Sequence, residues 1–485
     1  MRDWFGRRAH VSWQIAVACV GLFVGVSMAA WFTAPGMITL GWLLTGILLT
    51  LIACMRQRTW FLLFALGGGM IVGYWRGGLE QSVLDMCTPL YGKVITLKGT
   101  VSDDADVDKQ GDTVLRLKDI MIENRHLSGA VWVVLSNSIN EIERSDRIAV
   151  TGKLQQGFGT FAGTMYRAEP VKIERPEPGD IALHVRDWFA GAVRQAIPEP
   201  ESSLGVGYLV GQRRNLPEDL DAALKVAGLT HIVVASGYNL TILVRLARRL
   251  FERISKYLAT LVSGGLIVSF IAVTGISPSM SRAGLVAGLS LAAWYYGRKF
   301  HPLILLAIVA AVTVLVNPYY AWGDVGWQLS FAAFAGVMIF APVMQAFYFG
   351  KKKPGTLRQI LGETVSATIL TAPILLYSFG QISNVAVFAN LLILPLVPLA
   401  MLLTFMAGVG ALAISFAATI FGFPAYLLLH YMTQTTQFFA DIPWAVTELQ
   451  LEGWHVLVMY VMLIILMLFM WHRTRFDLRD TNVVE

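Results

Sequence analysis

Charge is scarce in this chain. Only 14% of its 485 residues are Asp, Glu, Lys or Arg, whereas 55% are hydrophobic and the mean hydropathy is +0.59. A soluble protein carries charge on about a quarter of its residues, so the composition excludes an ordinary soluble enzyme. It points to an integral membrane protein with modest soluble parts. Cysteine is nearly missing too. Cys19, Cys54 and Cys87 form no CxxC pair, which leaves no material for a disulfide framework or a thiolate metal site. The eight histidines are scattered and make no HxH or HExxH pattern, so a hydrolytic zinc centre lacks its ligand set. No metal and no cofactor is expected. The basic start MRDWFGRR resembles the edge of a signal peptide. The apolar run behind it is too long for one and has no A-x-A site, so a retained anchor is expected.

Long apolar runs are what the chain does have. Crossing a bilayer takes about 20 apolar residues, and the runs 11–33, 37–55 and 59–75 qualify. Arg2, Arg7 and Arg8 and the basic turn MRQR place the N-terminus and that turn in the cytoplasm. The third run then ends outside. From 93 to 175 the character changes to short β-branched stretches (KVITLKGTV, TVLRLKDIMI, AVWVVLS, RIAVTGKL, TMYRAEPVKIE) divided by Gly, Asp and Asn. Five such strands suit a small closed barrel, of which the OB-fold is the familiar five-stranded case; another small β-domain is the alternative. RPEPGD (175–180) reads as a linker. The helix that follows carries Ile181, Val185, Trp188, Phe189, Ala192, Val193 and Ala196 on one stripe. It suits a helix lying on the membrane surface, or one packed on the barrel or the bundle.

Beyond residue 230 apolar runs dominate, near 230–247, 257–275, 281–297, 302–316, 325–347, 358–379, 387–408, 411–436 and 454–471. Their cationic turns (RLARRLFERISK, GRKFH, KKKPGTLR and HRTR) alternate with turns poor in Lys and Arg. Positive-inside counting therefore gives about 12 spans with both termini cytoplasmic and the β-domain extracytoplasmic, in the cell membrane. The expected layout is three spans in 1–79, the OB-like domain in 80–178 and an interfacial helix in 179–200. A membrane domain follows in 201–472, with a cytoplasmic tail in 473–485.

Several residues are out of place in lipid. ASGYN (235–239) interrupts a span, TGISPSMSRAG (274–284) brings Arg282 to an outer turn, and GDVGWQLSF (323–331) brings Asp324, Gln328 and Ser330. Pro373, Asn390, Pro395 and Pro398 follow in later runs. Small residues and prolines also serve helix packing. Irregular, polar backbone at membrane depth otherwise requires a protein-lined or wet cavity. A Ser236–His231 hydrolase pair is disfavoured, because five residues along one helix separate the side chains by about 140°. Asp324 and Glu363 fall at opposite faces of the predicted topology and make no carboxylate pair.

The segments GLTHIVVASGYNL, VTGISPSMSRAGLV, NPYYAWGDVGWQLSFAA, the Pro373 stretch and SNVAVFANLLILPLVP occur in this order over most of the chain. Together they resemble the ComEC competence proteins, which form inner-membrane channels for DNA uptake in natural transformation. The matching positions are His231, Ser236, Gly237, Thr274, Gly275, Ser279, Arg282, Gly326, Gln328, Ser330, Pro373, Asn390 and Pro395. Asn239 stands where the family signature has a second histidine.

The resemblance implies a channel for a single strand of DNA, lined by Ser236, Gly237, Tyr238, Asn239, Thr274, Ser279, Arg282, Gln328, Ser330 and Asn390. Arg282 would attract phosphates and the neutral polar groups would replace water around them. Tyr319, Tyr320, Trp322 and Trp327 fit an interfacial belt, whereas Tyr238 is placed to stack bases. Contacts on the OB-like domain would come from Arg116, Lys118, Trp132, Tyr166 and Arg167. Many relatives carry a C-terminal metallo-β-lactamase-like domain. Its HxHxDH motif does not occur here, so translocation without catalysis is expected, with any nuclease a separate protein. A DNA receptor outside and a cytoplasmic helicase or motor are the further partners implied. A transporter of another polyanion or envelope precursor, and a membrane scaffold, are the alternatives.

Overall fold

The computed structural model describes residues 9–32, 39–107, 111–122, 125–127, 129–136, 142–177, 179–212, 216–233, 236–275, 277–298, 301–350 and 355–476. Parts of the turns GRKFH and KKKPGTLR, Ala235, Asp108 and the tail from 477 lie outside the described residues. Among the described residues seven helices are long and apolar enough to cross a membrane, and Leu40–Arg56 and Pro302–Val316 are shorter apolar helices. This is a membrane protein of mostly helical fold that carries a small barrel. The chain divides into two compact units, one of residues 1–183 with 303–327, the other of 184–302 with 328–485.

The first unit opens with α1 (Val11–Ala29), α2 (Leu40–Arg56) and α3 (Leu62–Cys87). Glycines let α1 and α3 touch backbone to backbone. A Cβ on Gly25 would lie 2.8 Å from the Met70 carbonyl carbon, and one on Gly73 2.8 Å from that of Leu22. Lipid gives apolar helices no hydrophobic reason to associate, so close approach of small residues supplies the dispersion contact instead. Arg76 on α3 holds Glu80 at 2.9 Å and donates to the Leu315 and Val316 carbonyls, capping the end of the helix Pro302–Val316.

The barrel consists of β1 (Val94–Val101), β2 (Thr113–Ile122), β3 (Ala130–Leu135), β4 (Arg147–Gln156) and β5 (Phe161–Glu174). β1 pairs with both β2 and β4, which closes the sheet in the order β1-β2-β3-β5-β4. β3 and β5 run parallel and every other pair of these five is antiparallel, the connectivity of an OB-type barrel. Alternate residues point inward, so Leu97, Leu115, Leu117, Val133, Leu135, Val150 and Met165 form the core. The alternation breaks at Asp119, whose φ of 53° lies in the left-handed region, and resumes one residue later with Ile120 and Ile122 inside. A second register shift falls at Arg167, also at φ 53°. Such bulges let strands turn the corners of a closed barrel.

Asp180 joins the barrel to α4 (Ile181–Ala196). Its carboxylate accepts from Arg144 Nε (2.7 Å), Ser145 Oγ (3.3 Å) and the Leu183 N–H (3.1 Å). In the second unit, α4 packs Phe189 on Phe405 and Gly408, while Val185 and Trp188 remain exposed. Its apolar stripe therefore splits between bundle and surroundings. α5 (Glu201–Val210) is buried along nearly its whole length, and α6 (Glu218–Val226) follows. The helices that follow are α7 (Gly237–Phe251), α8 (Lys256–Thr274), α9 (Pro278–Tyr295), α10 (Pro302–Val316, which belongs to the first unit), α11 (Val325–Ala335), α12 (Ala341–Phe349) and α13 (Thr356–Phe379). α14 (Ala386–Ile393), α15 (Val397–Ala413), α16 (Ala418–Ala440) and α17 (Gly453–Thr474) complete the chain. α12 follows α11 through a π-helical turn, Gly336–Phe340.

Candidate functional site

The polar break at ASGYN is a helix start. The short helix Thr230–Val233 ends, and Ser236 caps α7 by accepting from the Asn239 N–H at 3.4 Å. Ser277 caps α9 in the same way, with Pro278 in the first helical turn. A serine oxygen takes up an orphan N–H at such a start, and the positive end of the peptide dipoles gathers there.

These two starts meet beside a cation. The Arg282 guanidinium lies against Gly237, where a Cβ would stand 3.2 Å from Nη2 and 3.0 Å from Ala283 Cβ. A side chain there would press on both neighbours, so glycine lets the guanidinium lie close against the helix start. Arg282 Nε donates to Ser330 Oγ at 2.6 Å, and its guanidinium sits 5.3 Å above the Phe334 ring. No carboxylate among the described residues pairs with Arg282. Segments from α7, α9 and α11 thus place one uncompensated positive charge among a hydroxyl, an aromatic face and two helix N-termini. That arrangement favours an anion.

The other predicted residues make no described contact with the Arg282 guanidinium. Asn239 is fully buried and spends its amide on the carbonyls of Tyr208 (3.0 Å) and Ile232 (3.4 Å), bracing α5 and the short helix against α7. Asn390 is buried and donates to Ala386 of its own helix, and its Oδ1 has no partner among the described residues. Thr274 likewise bonds to Phe270 one turn back. Gln328 precedes Ser330 by two residues, so it faces away from the Arg282 contact. Tyr238 is half-exposed and its hydroxyl reaches the Leu394 carbonyl at 3.4 Å. Ser279 is partly buried in the first turn of α9. In the other unit Trp327 is a core anchor, stacked on Phe23 and donating to Thr313 Oγ1 at 3.0 Å.

On the barrel, Arg116 of β2 lies directly across from Trp132 of β3, its guanidinium 5.4 Å from the indole. Trp132, Phe158 and Phe161 form a cluster with centroids 5.2–5.6 Å apart, and Phe158 is half-exposed. Strands 2 and 3 and the loop before strand 5 are where OB-folds take oligonucleotides. Two acids already hold the arginine, Asp106 at 3.1 Å and Asp103 at 3.7 Å. Lys118 is exposed and lies on the same side of β2 as Arg116. Tyr166 is exposed beside the Arg167 bulge, and no described contact links either to the aromatic cluster. Phe158 and Phe161 escaped the sequence reading, although glycine-flanked aromatics in GFGTF (157–161) are a legible sign of a presented loop.

The loop is itself anchored. A Cβ on Gly159 would stand 3.1 Å from the Gly323 carbonyl oxygen, so the loop rests on the turn that leads into α11.

The competence protein family model matches residues 208–474, more than half of the chain. The chain belongs to the competence protein family. The matched region contains Asn239, the Arg282–Ser330 contact, Asn390 and α16; the barrel precedes it. Among curated relatives, the chain is 26% identical to ComE operon protein 3 of Bacillus subtilis (strain 168) over 235 residues, 48% of this chain and 29% of that protein. It is 24% identical to an uncharacterized protein of Aquifex aeolicus (strain VF5) over 265 residues, 53% of this chain and 59% of the relative. The chain therefore spans under a third of the first relative and about three-fifths of the second. No solved structure matches it.

Proposed function

We propose that this competence-family membrane protein is the conduit by which a single strand of DNA crosses the cytoplasmic membrane during natural transformation. The observation that carries the reading is the Arg282 contact, where a guanidinium tied to a neutral hydroxyl sits at two converging helix starts. A polynucleotide bears one charge per nucleotide, and a lone cation flanked by neutral donors attracts phosphates without trapping them. The shorter helices α2, α7, α9 and α10, with α3, add to the seven long ones to make about 12 spans, and both termini then lie inside. In this topology the barrel faces outward and offers Arg116, Trp132 and Phe158 to bases and phosphates. A receptor outside, a cytoplasmic helicase or motor, and a separate nuclease complete the proposed system; the chain itself translocates and does not catalyse.

Replacing Arg282 by alanine tests the reading. Transformation frequency should fall at least about tenfold while surface-polymer synthesis stays normal. Loss of surface polymer instead would indicate a carrier of another polyanion, and no change in either would indicate a scaffold.

A further inference from the structure

The bundle holds a titratable pair that the proposed strand path does not use. Glu201 stands in the first turn of α5, with its side chain 5% exposed. Its Oε1 lies 2.7 Å from His430 Nδ1. His430 comes from α16, close to the middle of the apolar stretch Ser415–Ala440, and its ring stacks on Tyr426 at 5.5 Å. An unpaired carboxylate at such a place is strongly disfavoured, so a retained one carries a task or a partner, and here it has the partner.

Two further observations mark the place. Ser202 Oγ and Thr404 Oγ1 are fully buried and have no hydrogen-bond partner among the described residues. Thr404 lies against Gly205, one turn beyond Glu201, and Leu429 beside His430 touches the same glycine. The hydroxyl of Thr404 therefore faces the side of α5 that carries Glu201. Secondly, the His430 side chain is 44% exposed, and Gln434, one turn on, is exposed as well. Imidazole and amide on the open face of an apolar helix meet water or protein rather than hydrocarbon.

Few other charges approach. α14 and α15 carry no ionisable side chain. α6, which packs on α16, contributes Glu218, Asp219 and the mutually paired Asp221 and Lys225. Glu199 accepts from the Ser203 N–H and lies 3.5 Å from Arg194 of α4. Tyr208 on α5, Tyr426 and Tyr431 on α16, His231 on the short helix, Lys256 and Tyr257 at the head of α8, and His184 with the paired Arg186 and Asp187 on α4 are the remaining titratable groups of the adjoining elements.

We propose that Glu201 and His430 form a proton-exchange site that acts on the start of α7 through α5. A proton taken up by the exposed ring at Nε2 allows the Nδ1 proton to pass to Glu201 Oε1. Both partners are then neutral, and the cycle closes by reversal, the carboxyl proton returning to Nδ1 as the Nε2 proton leaves to water from the exposed edge of the ring. One proton enters and one leaves. The change from a carboxylate–imidazole contact to one between two neutral groups weakens the hold on the first turn of α5. The far end of α5 is the Tyr208 carbonyl to which Asn239 is bonded, so the disturbance reaches the helix start beside Arg282.

The proposal rests on the conduit reading only for what passes at that start; the proton site can be tested without DNA. Full-length protein without its native cysteines, carrying Y238C in lipid nanodiscs, is labelled with a water-soluble maleimide at about pH 6 and pH 8, the range in which histidine ordinarily changes charge. After correction for thiolate fraction on a free cysteine peptide, the rate should differ at least threefold between the two. It should be the same at both in E201Q and in H430Q. Infrared difference spectra should show a titrating carboxyl band that E201Q lacks, and this signal does not depend on the reporter. A titrating difference that persists in E201Q, or a wild-type rate indifferent to pH, overturns the site. If it falls while R282A still blocks transformation, the conduit stands alone; if R282A is also harmless, both are gone.

Discussion

At the scale of single residues, the most informative contact is Arg282 Nε to Ser330 Oγ, 48 positions apart in sequence. The oddity of Arg282 is legible in the sequence, because a cation at a turn predicted to face outward breaks the positive-inside pattern. Its partner is not, since nothing in local spacing says which hydroxyl will meet it. Arg282→Lys keeps the charge but loses the planar donor fork, so we expect transformation between that of R282A and wild type. Ser330→Ala should reduce it by about tenfold or more, in keeping with one charge-assisted hydrogen bond. Asn239 shows the opposite lesson. The sequence marks it as polar in a span and assigns it to the lining, whereas its amide closes two buried carbonyls. Asn239→Leu should cost roughly 1–3 kcal/mol, measured as a lowered unfolding midpoint in detergent.

At the scale of elements, the barrel was readable as five β-branched stretches, while its closure was not. Strand order depends on contacts far apart in sequence, and the bulges at Asp119 and Arg167 look like ordinary polar residues until their backbone is seen. α5 was missed for a related reason. Ten residues are too short to span a membrane, and ESSLGVGYLV shows no polar face, because the helix is enclosed on all sides.

The joint at Asp180 yields a pH prediction. Burial disfavours its charged form, but the Arg144 hydrogen bond, the Leu183 N–H, the Arg144 charge and Ser145 outweigh that, holding the carboxyl below its ordinary range. A depressed folded value means the contribution is complete above the unfolded value of about 3.9 and disappears as pH falls through the lower one. Asp180→Asn should therefore destabilise the barrel joint by about 1–2 kcal/mol near neutrality, with the gap to wild type closing below about pH 4. Denaturant titrations of the full chain at the two pH values check it. The aromatic cluster offers a separate test. Trp132→Ala with Phe158→Ala in the full chain should weaken oligonucleotide binding by about tenfold or more, read by fluorescence anisotropy, since each stacked base contributes about 1–3 kcal/mol.

At the scale of the whole molecule, apolar runs and their cationic turns made a many-helix membrane protein legible, because lipid imposes length and composition directly. The glycine seam between α1 and α3 was not singled out. Glycines in a span read the same whether they face lipid or a neighbouring backbone. Gly73→Leu should part those helices and lower the yield of folded protein severalfold, measured by size-exclusion profile, because no rotamer clears the Leu22 backbone.

The hydroxyl partner of Arg282 has a consequence for the molecule as a whole. A fixed guanidinium whose neighbours among the described residues supply no counter-ion behaves like a bead of anion-exchange resin, whose electroneutrality is completed by mobile species. Halide or phosphate from the medium should occupy the place at rest, and an arriving polymer must displace that occupant. Entry should therefore slow as competing small anions become more concentrated.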